Sequence, residues 1–440
     1  MVGMVKKIIP KSVFEFFQPV YHYLLALAGA VIYRFPSRKL LVIGVTGTKG
    51  KSTTTEIVNA IFEASGEKTA LQNTLRFKIG DDEKRNLFKM SMPGRFFMQK
   101  FLRDAVNAGC SVAILELTSE GAKQYRHKFI KLDALIFTNL APEHIESHGS
   151  YEKYVEAKLS IAKELQSHKG KSLPKVLGSP LQSSTRLFSE TFPSGSTIIA
   201  NTDDKEAEKF LALNIKNKIP YSLKDAFNIE SSDKGSSFQI EKTVIHMKLG
   251  GIFNVSNALG AIACAKHFKI GDEVIKKGIE SLEVIRGRME KIEAGQDFDV
   301  IVDYAHTPDS LKAIYEAYKE HKKICVLGNT GGGRDTWKRP EMGKIADKYC
   351  DQIILTNEDP YDEDPRKILE EMKVGIKKKP VEIIMDRRTA IHTAISRAKS
   401  GEAVLITGKG TDPYIMGPNG SKQEWDDATV VREELRKILK

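Results

Sequence analysis

Short runs of consecutive apolar residues recur along the chain and predict the buried strands of parallel β-sheets. The runs occupy residues 40–43, 112–115 and 134–137 in the first half, and 300–302, 324–327, 352–355 and 403–406 in the second. Segments between them carry apolar residues at helical spacing, for example Ile57, Ile61 and Ala64 after the first run. The chain therefore has the alternation of an α/β protein, repeated in two parts.

The two alternations are separated by a polar stretch at residues 286–296, where we expect a domain boundary and a hinge. The predicted parts are an apolar N-terminal extension (1–40), a central domain (41–290) and a C-terminal domain (291–440). Residues 170–196 are rich in serine, proline and glycine and are predicted to be irregular.

The N-terminal extension contains a strongly apolar stretch, residues 20–33, between basic residues. The basic residues are Lys6, Lys7 and Lys11 before it and Arg34, Arg38 and Lys39 after it. Fourteen residues are too few to span a bilayer comfortably, and no small-residue cleavage site indicates a secretory signal. The stretch is predicted to be a helix packed on the surface of the next domain, with a membrane-surface anchor as the alternative.

Composition and charge narrow the class of ligand. Of 440 residues, 41% are hydrophobic and 28% are charged, as in an ordinary soluble protein. The formal net charge of +11 suits nucleotides and phosphorylated sugars, and equally nucleic acid or an anionic membrane. No long basic tract carries interleaved aromatic residues, which disfavours nucleic acid. Four cysteines lie far apart without a C-x-x-C motif, which predicts reduced thiols rather than disulfides or a zinc site.

Residues 44–55, with the sequence GVTGTKGKSTTT, connect the first apolar run to a helical segment. Their glycines recur at three-residue spacing, but the strict pattern G-x-x-x-x-G-K-[ST] is not met because Val45 occupies its first glycine position. Backbone N–H groups at the start of the helix would face phosphates, Lys51 would reach the β and γ phosphates, and Ser52 would bind magnesium. We therefore predict a nucleoside triphosphate site rather than a flexible loop capped by Ser52.

Polar residues follow the next two predicted strands, at the sheet edge where α/β proteins bind ligands. Glu116 ends the second run, where its carboxylate would bind magnesium or, alternatively, be a solvated or capping group. His144 and His148 follow the third run at a spacing that allows zinc, but their order H-x-E-x-H differs from H-E-x-x-H and no third ligand is evident. Lys158 lies in a helical stretch and alone would be interpreted as a solvated lysine.

Six segments, in order, resemble motifs of the Mur ligase superfamily over residues 41–440: GVTGTKGKSTT, LELTS, FTNLAPEHIESHGSYEKYVEAK, GIFNVSNALGA, GRME and VDYAHTPDSL. The chain is most similar to MurE-type synthetases, which join a diamino acid to UDP-N-acetylmuramoyl-alanyl-glutamate. The resemblance implies a P-loop NTPase-like parallel-sheet central domain followed by a Rossmann-like α/β C-terminal domain. It also implies an ATP-dependent amide ligase of peptidoglycan biosynthesis that acts through an acyl phosphate and releases ADP and phosphate.

The resemblance also implies roles for residues of this chain. ATP binding is implied for Gly47, Thr48, Lys49, Gly50, Lys51, Ser52, Thr53, Asn254, Asn257, Arg288 and Asp303. Two Mg²⁺ ions are implied, with the ligands Ser52, Glu116, His144 and Lys158, the last matching a lysine that is carbamylated in the family. Catalytic roles are implied for Lys51, His144 and Lys158. Candidate substrate contacts are Arg334, Lys338, Glu358, Asp359 and Asp412.

Three departures from the family pattern bear on the substrates. Only 40 residues precede the ATP-binding strand, where MurE-type enzymes carry a uridine-nucleotide domain, so we expect a UDP-linked muropeptide held differently or a lipid-linked one. Glu120 replaces a histidine of the family. Residues 358–361 (EDPY) stand where diaminopimelate enzymes carry D-N-P-R, and residues 408–412 (GKGTD) depart from G-K-G-H-E. Without that arginine, an acidic pocket favours lysine or another basic amino acid.

Two other functions fit parts of the sequence. One is a folylpolyglutamate synthetase-like ligase, although VDYAHTPDSL is closer to the MurE type. The other is a non-ligating ATP-binding subunit of an amidotransferase or membrane complex. The joint presence of five residues disfavours it: Lys51, Glu116, His144, Lys158 and Arg288. We expect a cytoplasmic protein, or one at the inner membrane surface with peripheral contact through residues 12–35, and no nucleic-acid partner.

Overall fold

The computed structural model describes residues 11–143, 145–166 and 195–439, with side chains from residue 17 onward. The described residues fall into two compact units. The first comprises residues up to 141, 151–225 and 256–279, and the second comprises residues 142–150, 226–255 and those from 280 onward. The irregular structure predicted at 170–196 falls almost wholly outside the described residues, and the boundary predicted at 286–296 stays a prediction.

Up to residue 225, helices and strands alternate along the chain. The helices are α1 (Lys11–Ile32), α2 (Lys51–Ala64), α3 (Arg95–Asn107), α4 (Ser119–Lys123), α5 (Ile145–His148), α6 (Tyr151–Gln166) and α7 (Ala207–Leu211). The strands are β1 (Leu41–Thr46), β2 (Thr69–Gln72), β3 (Arg76–Ile79), β4 (Asp82–Arg85), β5 (Val112–Glu116), β6 (Ala134–Phe137), β7 (Thr197–Asn201) and β8 (Asn217–Tyr221).

After residue 225, three short strands precede a second alternation. The strands are β9 (Phe227–Ser232), β10 (Gly235–Ile240), β11 (Thr243–Met247), β12 (Glu290–Lys291), β13 (Asp299–Asp303), β14 (Lys323–Leu327), β15 (Gln352–Leu355), β16 (Val381–Ile383), β17 (Ala403–Thr407), β18 (Tyr414–Met416) and β19 (Lys422–Glu424). The helices are α8 (Ile252–His267), α9 (Asp272–Glu280), α10 (Pro308–Ala317), α11 (Lys338–Tyr349), α12 (Pro365–Lys373), α13 (Arg387–Arg397) and α14 (Asp427–Ile438).

The strands of the first unit form one sheet in the order β4-β3-β2-β5-β1-β6-β7-β8. β1 pairs in parallel with β5 on one side and with β6 on the other. These three strands are buried along their whole length, so they appear in the sequence as uninterrupted apolar runs. The strands predicted at 40–43, 112–115 and 134–137 are therefore confirmed.

The main sheet of the second unit has six strands in the order β12-β13-β17-β14-β15-β16. All its pairs are parallel except that of the short strand β12 with β13. The four strands predicted in this half of the chain are confirmed as β13, β14, β15 and β17. An antiparallel sheet of β9, β10 and β11 and a hairpin of β18 and β19 complete the unit. The α/β fold class is confirmed, with two sheets that are parallel except for the antiparallel pairs β2–β3 and β3–β4 in the first and β12–β13 in the second.

The apolar stretch near the N-terminus is helical, as predicted, and packs against α3. At Gly29 of α1, an added Cβ would lie 3.6 Å from the backbone of Arg95 and Phe96, which shows how closely the two helices approach. Arg103 of α3 donates hydrogen bonds of 3.0 and 2.8 Å to the carbonyl of Tyr33 and so fixes the C-terminal end of α1. Among the described residues, no helix combines the length and the apolar character needed to cross a membrane.

The prediction that all four cysteines are reduced thiols is wrong for two of them. Cys325 in β14 and Cys350 at the end of α11 form a disulfide, with 25 residues of sequence separation. The sequence shows no motif for this pair, because the two cysteines become neighbours only when α11 folds back against the sheet. Cys110 and Cys264 are free and buried, and burial raises the pKa of both thiols.

Candidate active site

The loop after β1 is shaped by two glycines with backbone conformations that other residues rarely adopt. Gly47 has φ 150° and Gly50 has φ 80°. A Cβ on Gly47 would lie 1.9 Å from Thr138 Oγ1, and a Cβ on Gly50 would lie 2.1 Å from Asn257 Oδ1. Only glycine fits at both positions. Helix α2 begins immediately after Gly50, so its first N–H groups lie at the loop, as in a phosphate-binding site.

The end of β6 holds this loop in place. Asn139 Oδ1 accepts a hydrogen bond of 2.9 Å from the Lys49 N–H, and the Asn139 carbonyl accepts one of 2.8 Å from the Thr48 N–H. Thr138 Oγ1 donates to the Lys49 carbonyl at 2.7 Å. The loop conformation is thus held by hydrogen bonds to the residues that follow β6.

Two lysine ammonium groups converge on the same loop. Lys51 Nζ donates to the Thr48 carbonyl at 2.7 Å, and Lys158 Nζ donates to the Gly47 carbonyl at 2.6 Å. Lys158 is only 2% exposed, which contradicts its interpretation as a solvated lysine. One turn earlier on α6, the Tyr154 hydroxyl lies 2.8 Å from Thr48 Oγ1. Helix α6 therefore places a buried lysine side chain directly against the loop.

Glu116 lies beside the loop because β5 is in register with β1, where it pairs with Val45. It is 2% exposed. Its carboxylate accepts hydrogen bonds from Ser52 Oγ at 2.8 Å and from Ser91 Oγ at 2.7 Å. Thr74 donates twice, from its N–H at 3.0 Å and from its hydroxyl at 2.8 Å. The strand-end carboxylate is thus a buried group with several donors around it and not a solvated one.

Glu116 is held in its charged form. Burial alone would raise the pKa of this carboxyl, but the Lys51 ammonium and the hydrogen bonds from Thr74, Ser91 and Ser52 outweigh it and keep the pKa below its usual value. An ionised carboxylate 2.8 Å from the Ser52 hydroxyl offers two hard oxygen donors, which fit Mg²⁺. His144, the other predicted ligand, lies outside the described residues.

Thr74 and Ser91 are site residues that the sequence did not indicate. Thr74 follows β2 and Ser91 precedes α3, and neither belongs to a recognisable motif. They meet Glu116 because β2 is the neighbour of β5 in the sheet. Tyr154 could have been found from its spacing of four residues to Lys158, since the two share one face of a helix.

In the second unit, Asp303 ends β13 and accepts backbone hydrogen bonds from Met289 at 2.7 Å and from Ala305 at 2.6 Å. Burial raises the pKa of Asp303, and the nearby Arg288 only partly opposes the shift. The Arg288 guanidinium lies 4.6 Å from the centre of the Tyr304 ring. The structure therefore brings Arg288 and Asp303 together, and their contact with the nucleotide stays a prediction. Asn254, also in this unit, donates to the Gly250 carbonyl at 2.7 Å.

His306 is a further polar residue after β13. It lies within the segment VDYAHTPDSL, and no other feature of the sequence indicates its role. Its Nδ1 lies 2.8 Å from the Tyr304 carbonyl, and its Nε2 lies 3.0 Å from Glu143 Oε1. Because the carbonyl can only accept, Nδ1 carries a proton. The contact with Glu143 then needs a second proton, either on Nε2 or on the carboxyl group. The pair is a candidate proton donor or acceptor.

Residues 358–361 contain two carboxylates in different environments. Glu358 is buried, and its Oε1 accepts a hydrogen bond of 2.8 Å from Thr330. Its Oε2 has no hydrogen-bond partner among the described residues and faces Gly408, where a Cβ would lie only 2.5 Å away. Asp359 instead bonds the buried Lys409 ammonium at 2.9 Å, as does Asp412. Lys409 thus neutralises two of the acidic residues, and Glu358 keeps an oxygen available.

The remaining candidate substrate residues differ in their surroundings. The Arg334 guanidinium lies 5.0 Å from the centre of the Tyr361 ring. Lys338 is buried at the start of α11. Beside it, the fully buried Arg339 pairs with Glu363 at 2.6 Å. Part of the acidic stretch 358–364 (EDPYDED) therefore has a structural partner. A pocket of about 560 Å³ adjoins this stretch. Its lining includes Asn357, Tyr361, Asp362, Glu363, Ile415 and Lys422.

Comparison with known proteins supports one family. A family model described as "Mur ligase middle domain" matches residues 45–173 and 181–265, and one described as "Mur ligase, glutamate ligase domain" matches residues 287–410. The UDP-N-acetylmuramoyl-L-alanyl-D-glutamate–2,6-diaminopimelate ligase of Syntrophomonas wolfei is 34% identical, over 94% of this chain and 82% of that protein. The UDP-N-acetylmuramyl-tripeptide synthetase of a Roseiflexus species is also 34% identical, with the same coverage.

Solved structures agree with this result. A structure of a UDP-N-acetylmuramoyl-L-alanyl-D-glutamate–2,6-diaminopimelate ligase is 27% identical with a TM-score of 0.59, over 91% of this chain and 79% of that one. Folylpolyglutamate synthase of Mycobacterium tuberculosis has a TM-score of 0.66 over 88% and 92% of the two chains, but at 14% identity this shows the fold alone. Both family models and the curated relatives show that the chain belongs to the Mur ligase family, whose members are ATP- and magnesium-dependent ligases that form amide bonds.

Proposed function

We propose that this protein is a MurE-type ligase that adds an amino acid with a side-chain amine to the free carboxylate of a muramoyl peptide. The observation that carries the proposal is the convergence of Lys51, Glu116 and Lys158 on one phosphate-binding loop. Relatives named for such substrates match 94% of the chain, which supports the same reaction here.

The reaction has two steps. A carboxylate oxygen of the acceptor attacks the γ-phosphorus of ATP, the bond to the β–γ bridging oxygen breaks, and ADP leaves. The amine then attacks the acyl carbon, the bond to the phosphate oxygen breaks, and the amine loses a proton as the amide forms. Lys51 would offset the negative charge of the phosphoryl group during transfer. Bound Mg²⁺ supplies further charge neutralisation and orientation, and Ser52 and Glu116 would hold it.

We also propose that Lys158 is carbamylated in the active enzyme and, with His144, binds a second Mg²⁺. Carbamylation joins CO₂ to the neutral amine and releases a proton, which turns a cation into an anion. The burial of Lys158 supports this, because a low-dielectric environment favours the neutral amine over the ammonium form. Its contact with the Gly47 carbonyl supports a position next to the phosphates.

Further nucleotide contacts are proposed for other residues of the chain. Asn257, whose side chain covers Gly50, would contact the nucleotide beside the loop. Thr48, Lys49 and Thr53 would contribute their backbone N–H groups or hydroxyls to the phosphates. Asn254, Arg288 and Asp303 are further proposed contacts. Arg288 is suited to a planar or anionic group because its guanidinium already lies over an aromatic ring.

We propose that the amino-acid site selects a single-carboxylate diamino acid such as lysine. Tyr361 stands where diaminopimelate enzymes carry an arginine, so this chain lacks the usual partner for a second carboxylate. Glu358 offers a buried oxygen without a hydrogen-bond partner among the described residues, which suits an ammonium group. Arg334, which lies over Tyr361, and Lys338 are proposed contacts to substrate carboxylates.

For the acceptor, we propose a UDP-linked muramoyl peptide, which the names of the relatives support, with a lipid-linked one as the alternative. We propose a cytoplasmic protein that contacts the inner membrane surface through residues 12–35. The uncovered apolar residues of α1 support that contact.

The test is product formation by the full chain with Mg²⁺-ATP, UDP-N-acetylmuramoyl-L-alanyl-D-glutamate or its lipid-linked form, and one amino acid at a time. We expect a product with the mass of the lysyl adduct, and a lower kcat/KM for meso-diaminopimelate than for lysine. Tyr361→Arg should raise the relative kcat/KM for diaminopimelate by about tenfold, the value of a charge-assisted hydrogen bond. Tyr361→Gln, which adds no charge, is the matched control.

A preference of the wild-type chain for diaminopimelate would refute the proposed amino-acid selection and leave the ligase assignment intact. The absence of any adduct with both acceptors and all diamino acids would refute the proposed function itself.

A further inference from the structure

Helix α1 has two apolar faces, and the described residues of the protein cover only one of them. The covered face carries small residues, Ala26, Gly29 and Ala30, which are buried against α3. Next to them His22 contacts Arg95 at the start of α3. Small residues at this spacing let two helix backbones approach closely, so this face has a structural role.

The other face carries large apolar residues that remain in solvent. Val20, Tyr21, Leu24, Val31 and Ile32 are each between 47% and 62% exposed. Val20, Leu24 and Val31 are spaced four and seven residues apart and therefore lie along one side of the helix. Phe96 at the start of α3, which borders Gly29, is also exposed. Such a stripe is larger than the isolated exposed apolar residues of ordinary surfaces and indicates a binding surface.

The charges around the helix indicate what would cover this stripe. Among the first 55 residues Glu15 is the single acidic residue, whereas six basic residues lie within the first 40. Three of them follow the helix and are all exposed: Arg34, Arg38 and Lys39. Basic residues beside an apolar helix face are complementary to a surface that is anionic at the headgroups and apolar beneath. A protein partner with an apolar groove would not require this charge.

We propose that α1 binds in the plane of an anionic membrane surface, with its exposed stripe in the boundary between headgroups and acyl chains. No described helix is long and apolar enough to cross a membrane, so the helix lies on the bilayer. The inference deepens the membrane contact proposed above and rests on it, but it does not depend on which acceptor or amino acid the enzyme uses. Its consequence is that the ligase is concentrated where a lipid-linked acceptor would be.

Flotation of the full chain with lipid vesicles tests the proposal. Vesicles of phosphatidylcholine alone are compared with vesicles that contain phosphatidylglycerol as well, at low and at high salt. The wild-type chain should float with the anionic vesicles and be released by salt, because each basic residue adds attraction that salt screens. Leu24→Glu should lower the bound fraction by about tenfold or more, since it places a charge in the apolar stripe.

The matched control is Val374→Glu, which changes a similarly exposed valine directly after α12 in the second unit, where Val374 is 60% exposed. It should bind vesicles like the wild type. The paired change Arg38→Glu and Lys39→Glu should weaken binding to anionic vesicles. Circular dichroism and ADP release with soluble substrates show whether each variant is folded and active. Loss of ligase activity is thereby distinguished from loss of membrane binding.

Three results would overturn the proposal. The first is a wild-type chain that stays unbound with both kinds of vesicle, and the second is unchanged binding by Leu24→Glu. The third is a wild-type dimer in solution that Leu24→Glu converts to a monomer without any vesicle binding, which would assign the stripe to a second copy of the chain.

Discussion

At the residue scale, the central feature is a carboxylate that stays charged while almost fully buried. Removing Glu116 from water is costly, and the cost is offset by four hydrogen bonds from Ser52, Thr74 and Ser91 and by the charge of Lys51. A residue that served only stability would not need to be charged at this position. The arrangement suits the Mg²⁺ ion that we propose Ser52 and Glu116 would hold.

Lys158 gives the first prediction at this scale. Lys158→Ala should lower kcat for ligation by at least about a hundredfold, because the proposed carbamate would be lost, and a short carboxylic acid added to the buffer should restore part of it. Labelling of the wild-type chain with ¹³C-bicarbonate should give a carbamate signal in NMR spectra that the variant lacks. Lys163→Ala, on the exposed side of the same helix, is the matched control and should retain wild-type activity.

Two results would contradict the role of Lys158. One is wild-type activity of Lys158→Ala without added acid, and the other is a carbamate signal that persists in that variant.

His127 gives a prediction about pH. It is buried in the first unit, and burial, with a smaller effect of Lys128, lowers the pKa of its imidazole to about 3. In the unfolded chain the group titrates near 6.5. Below that pH the unfolded state binds a proton that the folded state does not, so the free energy of unfolding falls by about 1.4 kcal/mol per pH unit.

Urea unfolding measures the effect. Between pH 7.5 and pH 5, His127 should account for a loss of about 2 kcal/mol, and His127→Leu should lack this part of the pH dependence. His246→Leu, at an exposed position, is the control and should keep the wild-type dependence. An equal pH dependence in His127→Leu and the wild type would show that the imidazole is protonated in the folded protein.

Much of the site was predictable residue by residue, but its surroundings were not. Lys51, Ser52 and Glu116 stand next to apolar runs, and the rule that ligands bind at strand ends places them together. Thr74 and Ser91 come from loops whose positions depend on the sheet order, which apolar runs do not encode. The unequal surroundings of Asp359 and Glu358 depend likewise on Lys409, which is 50 residues away from Asp359 in sequence.

At the scale of elements, the helix that carries the phosphate loop is packed closely from behind. A Cβ on Gly278 of α9 would lie 2.6 Å from the Cα of Ile61 and 2.9 Å from the carbonyl of Ala60, both in α2. These are backbone atoms that cannot rotate away. The position of α2, and with it the start of the phosphate-binding helix, therefore depends on a glycine at 278.

Gly278→Ala should destabilise the protein by about 1–3 kcal/mol, the usual cost of an overpacked contact. It should also raise KM for ATP, because α2 must shift. Gly271→Ala, where the added methyl meets nothing within 4 Å, is the matched control and should be close to neutral. Unfolding curves and ATP titrations give both quantities, and equal stability of the two variants would contradict this packing account.

The sequence predicted the elements that are buried on both faces and missed those that are not. β1, β5, β6 and the main strands of the second unit appear as apolar runs since helices cover both sides of them. β4 is mostly exposed and has the sequence DEKR, so no pattern marks it as an edge strand. The disulfide between Cys325 and Cys350 was missed because pairing depends on three-dimensional proximity, which the spacing of cysteines does not show.

At the scale of the whole molecule, each unit has its own core and carries its own part of the chemistry. The first unit has a core around its eight-stranded sheet and holds the phosphate loop, Glu116 and Lys158. The second has cores on the two sides of its six-stranded sheet and holds the candidate amino-acid residues. The two family models follow this division only in part, because residues 142–150 and 226–255 lie in the second unit but within the match of the middle-domain model.

The central claim is that the chain forms an amide through an acyl phosphate, and the fate of the acceptor's oxygen tests it most directly. The acceptor is prepared with ¹⁸O in both oxygens of its free carboxylate and incubated with the full chain, Mg²⁺-ATP and lysine. The account predicts one ¹⁸O atom in each phosphate released, in proportion to the amide formed, and no phosphate release when the acceptor is omitted. Unlabelled phosphate, or ATP hydrolysis that proceeds equally without the acceptor, would contradict it.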